Sequence, residues 1–428
     1  MELPEQFLKR MQERLGSEFP AFLRSYETPP QKGLRVNTLK ISAEEFAKIS
    51  PFALEPVPWE ESGFYITEEK PGAAPYHFAG LYYLQEPSAM SAVPMLEVHP
   101  GERVLDLCAA PGGKTTQIAA KMGGEGILIA NEVEYLRAKI LAQNVERMGA
   151  KNVIVTYLPP KLLVKRFPAY FDKILVDAPC SGEGMFKKEE NAIPEWSEGN
   201  IKRCAARQRD ILDCAAEMLA GGGTLVYSTC TFSEEEDEWQ IEDFLKRHPE
   251  FELIEMKKLL PHRIRGEGHF TAKLVKREGT RRDGKSLPKA KQKAVSLFLE
   301  ELFGAELAAE LTGNLYEAAL GNMRFRYHAL PDGATISSGL LQGVELGEWD
   351  GRVFKPAHAL AISYGTQARR KVVLSREEAR KYLRGETLEA DIENGWCVVC
   401  VEEFPLGLGK AVNGLVKNHL PKGIRMVK

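Results

Sequence analysis

At 428 residues the chain is too long for one ordinary hydrophobic core, so two to four domains are expected. Hydrophobic residues make up 44% and charged residues 27%, ordinary for globular protein, and no apolar run reaches the length of a membrane span. A net charge of −3 excludes a globally basic nucleic-acid binder and leaves only local basic faces; seven scattered cysteines speak against a disulfide framework and for a reducing compartment, the cytoplasm.

The N-terminus, Met1-Glu2-Leu3-Pro4-Glu5, is too acidic for a signal peptide. Residues 1–74 read as a Pro-interrupted α/β extension, with an amphipathic helix over Phe7–Leu15 and a strand over Gly33–Leu39 (G-L-R-V-N-T-L) that by itself looks like a plain edge strand. Gln85–Leu96 carries Pro87 near a helix start, where the missing N–H does no harm.

From Arg103, apolar runs alternate with helical periodicity, which predicts a Rossmann-like, doubly wound parallel α/β sheet. The predicted strands are Val104–Cys108, Gly126–Asn131, Asn152–Thr156, Lys173–Asp177 and Thr224–Ser228, with Phe251–Ile254 and His269–Val275 as a terminal pair. Helices are predicted over Thr115–Met122, Tyr135–Met148 and Ile201–Leu219; the stripe Cys204, Gln208, Ile211, Ala215, Leu219 on the last makes Cys204 and Cys214 core residues. The acidic run Glu234–Glu238 after Ser233 reads as a helix start, with Glu236 at the reciprocal capping position.

Arg263–Lys293 holds eleven Lys/Arg against three Asp/Glu, and 278–293 within it reads as a flexible basic linker, a solvated connector or a phosphate contact. Residues 294–350 form an intermediate domain opening on a helix over Leu297–Leu311. Residues 351–428 are short-stranded, with a strong run at Trp396–Val401 and a tail, Lys410–Lys428, of five Lys/Arg and no acid. Cys397 and Cys400 have zinc-ligand spacing but no second pair, and residues three apart on a strand face opposite ways, so they read as buried thiols and no metal site is expected.

The chemistry gathers around R-V-L-D-L-C-A-A-P-G-G-K-T-T, Arg103–Thr116. Strand, glycine turn and helix present backbone N–H groups to a charged ligand. The dinucleotide pattern G-x-G-x-x-G is absent. A phosphate loop fits at Gly113-Lys114-Thr115 but has Cys108 where its first glycine belongs, and with Ile174–Asp177 as an acidic strand an NTPase reading stays open. Glu132, just past the second strand, stands where a carboxylate commonly accepts two ribose hydroxyls. Asp177-Ala178-Pro179-Cys180 and Ser228-Thr229-Cys230 end neighbouring strands, about 5 Å apart, so both thiols can line one pocket.

Cys108–Lys114, C-A-A-P-G-G-K, resembles the S-adenosylmethionine loop of the Sun/Fmu-type RNA 5-methylcytosine methyltransferases. G-L-R-V-N-T-L is similar to that family's N-terminal RNA-binding extension, and Pro405–Lys410 with Lys417–Arg425 resembles the PUA-like β-barrel that closes its ribosomal members. The resemblance implies five segments: extension 1–74, methyltransferase domain 75–277, linker 278–293, intermediate domain 294–350 and PUA-like domain 351–428. It implies S-adenosylmethionine held by Cys108, Ala109, Ala110, Pro111, Gly112, Gly113, Lys114, Glu132 and Asp177. It gives the nucleophile as Cys230, release to Cys180 and the cytosine edge to Asp177, acting as a monomer on RNA, most of all small-subunit ribosomal RNA.

That division of labour suits the chemistry. Carbon-5 of cytosine is a poor nucleophile; a thiolate adding at carbon-6 turns the ring into an enamine, and a base must later remove the carbon-5 proton. In DNA cytosine methyltransferases the Pro-Cys residue attacks instead, and a non-catalytic RNA-binding assembly factor on the same shell is the remaining alternative. One departure stands out: the family holds the adenine with Asp or Asn after the third strand, where this chain has Tyr157-Leu158-Pro159-Pro160, so Tyr157 becomes the candidate adenine contact and a reshaped cofactor site the alternative.

Overall fold

A computed structural model describes residues 2–189, 191–284, 287–321, 324–330 and 339–426. Lys285 and Ser286 of the expected linker and Lys428 of the basic tail lie outside them.

The predicted alternation is present. Strands β1 (Arg103–Asp106), β2 (Ile127–Asn131), β3 (Val153–Thr156), β4 (Phe171–Asp177) and β5 (Leu219–Thr229) run parallel, and β6 (Phe251–Leu259) and β7 (His269–Lys276) add an antiparallel pair. The order is β6-β7-β5-β4-β1-β2-β3, extended beyond β3 by a two-residue antiparallel strand, Leu341–Gln342. Helices α1 (Gly113–Lys121), α2 (Tyr135–Met148), α3 (Pro160–Arg166), α4 (Glu198–Met218) and α5 (Glu238–Arg247) cover the faces. Both faces being covered is why the strands are near-continuous apolar runs: Val104, Leu105, Ile129, Val155, Ile174 and Leu225 are all fully buried. Cys204 and Cys214 are buried on α4, as their stripe predicts.

The strand order reverses at β1, between β2 and β4. Loops leaving the C-terminal ends of β1 and β4 therefore diverge and leave a crevice, the place where open α/β sheets bind ligands.

Three expectations are corrected. Gly33–Val36 is no edge strand: it lies inside a four-stranded sheet between Glu60–Tyr65 and Tyr82–Leu84, and it is buried throughout, which hides any alternation. The helix over Leu297–Leu311 is two, Lys293–Phe303 and Ala305–Gly313, parted at Gly304, whose φ of 97° no other residue adopts comfortably. The basic stretch after β7 is not a free connector where it is described. Gly221 N–H donates to Thr280 O (3.0 Å), Arg282 N–H to Ala169 O (2.9 Å), Arg281 pairs with Asp172, and Arg103 pairs with Asp283 (2.6 Å). These contacts pin residues 280–283 along the N-terminal edge of the parallel strands, opposite the crevice.

The C-terminal region forms a five-stranded mixed sheet in which Gly395–Val401 lies between Lys371–Leu374 and Phe404–Val412. Cys397 and Cys400 are fully buried and join different cores, so they do face opposite ways. The core that takes Cys397 is shared with the N-terminal extension: Leu34, Val36, Phe46 and Tyr82 pack with Val372, Leu374, Val399 and Leu406. Among the described residues no helix is long and apolar enough to cross a membrane.

Candidate active site

A cavity of about 940 Å³ opens at the C-terminal ends of β1, β2, β4 and β5. Of the residues singled out from sequence, Cys108, Ala110, Glu132, Asp177, Cys180 and Cys230 line it; Ala109, Pro111, Gly112, Gly113 and Lys114 do not.

The glycine loop is tied at each step. Ala109 N–H donates to Asn131 O (2.8 Å), Asn144 Nδ2 to Pro111 O (2.9 Å), and Thr115 Oγ1 to Asp106 Oδ2 (2.7 Å). Burial pushes Asp106 up to about 7 against the Thr115 bond, and its Oδ1 has no protein partner. The buried Arg35 arrives from the N-terminal extension and donates to Gln85 Oε1 (3.0 Å), Gly113 O (3.1 Å) and Thr116 Oγ1 (2.7 Å). The G-L-R-V-N-T-L strand thus braces the start of α1.

Glu132 is buried at the cavity wall. One carboxylate oxygen accepts Glu134 N–H (3.1 Å), and the other meets the half-exposed Arg137 at 3.2 Å. Tyr157 is 46% exposed, packs edge-on against Tyr135, and does not line the cavity; Pro159 and Pro160 do.

Lys114 and Asp177 form an ion pair, Nζ to Oδ2, at 2.7 Å, with Lys114 8% exposed and Asp177 33% exposed toward the cavity. Ser228 Oγ donates to the other Asp177 oxygen (2.7 Å), and His269 Nε2 stands 3.8 Å from it. Burial would raise Asp177, but the Lys114 ammonium and the Ser228 hydrogen bond outweigh it and hold its pKa below the ordinary carboxylate value. His269, fully enclosed, is pushed down to about 3 by burial and by Lys114, so it is neutral.

Cys180 and Cys230 come together, Sγ to Sγ, at 3.3 Å. The bond to Cys230, then burial, pushes the Cys180 thiol well up. Burial likewise pushes the Cys108 thiol up.

Glu236 is not a capping residue. Helix α5 begins at Glu238, and the fully buried Glu236 turns to the Pro-Cys loop, accepting from Ser181 N–H (3.0 Å), Ser181 Oγ and Gln208 Nε2 (2.8 Å). Glu183 is buried alongside, accepting Trp196 Nε1 and Phe232 N–H at 2.9 Å each. Sequence reasoning missed Glu183, Glu236, His269 and Arg35 as parts of the site. The available signal was a carboxylate inside an otherwise small run, in C-S-G-E-G, and the acidic run that follows Cys230.

Fold and site define a class: an S-adenosylmethionine-dependent RNA methyltransferase on a Rossmann-like sheet with a PUA-like C-terminal domain. Residues 93–275 match the family model described as 16S rRNA methyltransferase RsmB/F, residues 3–87 the N-terminal domain of 16S rRNA methyltransferase RsmF, and residues 369–426 the methyltransferase RsmF PUA domain. A ribosomal RNA small subunit methyltransferase F from Enterobacter sp. (strain 638) is 34% identical over 98% of this chain and 95% of its own length. Its namesake from Erwinia tasmaniensis is 31% identical over 98% and 96%. A crystal structure titled as a methyltransferase homolog protein from Pyrococcus horikoshii superposes with a TM-score of 0.56 at 31% identity, covering 64% of this chain and all of that one. The chain belongs to the ribosomal RNA small subunit methyltransferase F family. The nucleoside-triphosphatase reading of the glycine loop therefore gives way.

Proposed function

We propose that this protein methylates carbon-5 of a cytosine in 16S ribosomal RNA, acting as a cytoplasmic monomer, with Cys230 as nucleophile and Cys180 as the releasing group. The observation that carries the reading is the pair of thiols 3.3 Å apart in a cavity whose wall also holds Cys108, Glu132 and Asp177.

The wall fits S-adenosylmethionine: a glycine loop with a cradle at Cys108 and Ala110, a buried Glu132 carboxylate suited to two ribose hydroxyls, and apolar Val133 and Pro159 for the adenine face in place of Tyr157. Bound there, it supplies an electrophilic methyl group. The chain's own residues do the rest. Asp177, held ionised by Lys114, accepts from the cytosine amino group, and the Lys114 ammonium is the proton-bearing partner at that edge as electron density moves onto the ring. The Cys230 thiolate adds to carbon-6 and makes carbon-5 nucleophilic. After methylation Cys230 is a thioether that no longer holds the Cys180 thiol protonated; Cys180 gives its own proton to solvent and, as thiolate, takes the carbon-5 proton, and the carbon-6 to Cys230 bond breaks as the ring double bond re-forms.

The test is single-turnover methyl transfer to small-subunit RNA, free and in assembled particles, with Cys230→Ala beside the parent. The variant should bind S-adenosylmethionine normally and transfer nothing. Near-parental transfer by Cys230→Ala would overturn the nucleophile assignment, and mapping methylated cytosines after gene deletion identifies the target.

A further inference from the structure

Two buried carboxylates lie beside the cysteine loops without bordering the large cavity. Glu236 follows Cys230 by six residues, yet its side chain is bound by the other loop: Ser181 gives it both its N–H and its hydroxyl. Gln208 of α4 joins the same grip, donating to Glu236 (2.8 Å) and to Pro179 O (3.0 Å), so the residues on either side of Cys180 are both held. Glu183 follows Cys180 by three residues, and it accepts the N–H of Phe232 (2.9 Å), two residues past Cys230. The loops touch directly as well. Ser181 and Thr231 share a hydroxyl bond at 2.8 Å, and Gly184 N–H donates to Cys230 O at 2.8 Å. A Cβ on Gly184 would stand 2.9 Å from that Cys230 carbonyl oxygen and 3.2 Å from two more, so only glycine permits the approach.

We propose that Glu183 and Glu236 are positioning residues forming a reciprocal clamp, each carboxylate belonging to one cysteine loop and gripped by the other, and that this clamp sets the separation of the Cys180 and Cys230 thiols. The proposal rests on the assignment of Cys230 to attack and Cys180 to release. Those two steps act on adjacent ring carbons, so both thiols must be placed together, and misplacement by about 1 Å costs roughly 100-fold in rate. A buried carboxylate suits the task because every donor around Glu236 points at it, and leaving such donors unpaired is expensive. Glutamine at 236 keeps the geometry: its carbonyl accepts from Ser181 N–H and Gln208, and its amide donates to the Ser181 hydroxyl.

The test compares Glu236→Ala, Glu236→Gln and Ser181→Ala in the full chain. In steady-state methyl transfer, Glu236→Ala should lose about 100-fold in kcat with the KM for S-adenosylmethionine within about twofold, and Glu236→Gln should recover most of the loss. A second readout needs no methyl transfer: diamide oxidises the two thiols to a disulfide, is itself reduced to the hydrazine by the two hydrogens, and the product is followed by mass. That rate should fall about tenfold in Glu236→Ala and return in Glu236→Gln. Parental kcat and parental disulfide rate in Glu236→Ala, or a Gln variant as impaired as the Ala variant, would overturn the clamp. If Glu236→Ala does not fold, Ser181→Ala decides: it keeps the amide bond, and a parental disulfide rate there overturns the clamp equally. A parent chain that forms the disulfide but transfers no methyl group would sink the methylation reading and leave the clamp to be judged on the disulfide rates.

Discussion

Cys180 Sγ lies 3.3 Å from Cys230 Sγ although fifty residues separate them in sequence, because β4 and β5 are parallel neighbours with Asp177 in register with Ser228. Two thiols that close, at one strand edge, can reach adjacent atoms of a single pyrimidine ring.

If attack and release are divided between them, Cys180→Ala should accumulate a covalent protein–RNA adduct that resists denaturant and disappears with RNase. Cys230→Ala should form none. Denaturing electrophoresis decides it, and adduct in Cys230→Ala with none in Cys180→Ala would exchange the two roles.

Lys114 is the charge that keeps Asp177 ionised despite burial. In Lys114→Met the burial effect is unopposed by that ammonium, so the Asp177 pKa rises and the carboxyl takes up a proton as pH falls through the new value. Methyl transfer should drop about 100-fold near pH 6 and recover in part as pH rises. A parental pH–rate profile in Lys114→Met would show that the pair does not tune the site.

The N-terminal extension and the PUA-like region share one core, so the C-terminal region is not a detachable RNA-binding module. Deleting 369–428 strips Val372, Leu374, Val399 and Leu406 from Leu34, Val36, Phe46 and Tyr82. Uncovering each large side chain costs about 1.5–3 kcal/mol, which should loosen the strand Gly33–Val36 and, through Arg35, the start of α1. Hydrogen exchange should show lost protection at Gly33–Val36, and full protection in the truncated chain would refute the shared core.

Stability should change little with pH between about 4.5 and 6.5. Burial pushes His77 and His269 down to about 3 and His328 and His358 to about 4, so acid favours the unfolded chain, whose imidazoles take up protons near 6.5. Burial pushes Asp106, Glu146, Glu236 and Asp237 up to about 7, so in the same window the folded chain holds carboxyl protons that the unfolded chain lacks. Four carboxyl groups against four imidazoles leave almost no net slope in that window, and stability falls steeply only below about pH 4.5, once the unfolded carboxyls protonate too. Urea midpoints across pH 4–7 check this; a steep fall beginning at pH 6.5 would show that the carboxyl set does not hold its protons.

The sequence by itself determined the doubly wound sheet, its strands and the helices α1, α2 and α4 (though not α3) to within five residues, the glycine loop, and the two cysteines at neighbouring strand ends. Each is a local pattern: apolar runs of strand length, helical periodicity, or a contiguous motif. It did not reveal that Arg35 reaches 81 residues along the chain to Thr116, that Lys114 pairs with Asp177, or that the chain's two ends share a core. Glu236 shows the reason most clearly. Within its own segment it has the spacing of a helix cap, and local physics offers it nothing better. Once β4 and β5 are paired and α4 has docked, the Ser181 amide and hydroxyl and the Gln208 amide surround it, and a buried carboxylate among unpaired donors is stable only there. Partners that long-range packing brings together leave no period or spacing in the sequence, so only the tertiary structure decided them.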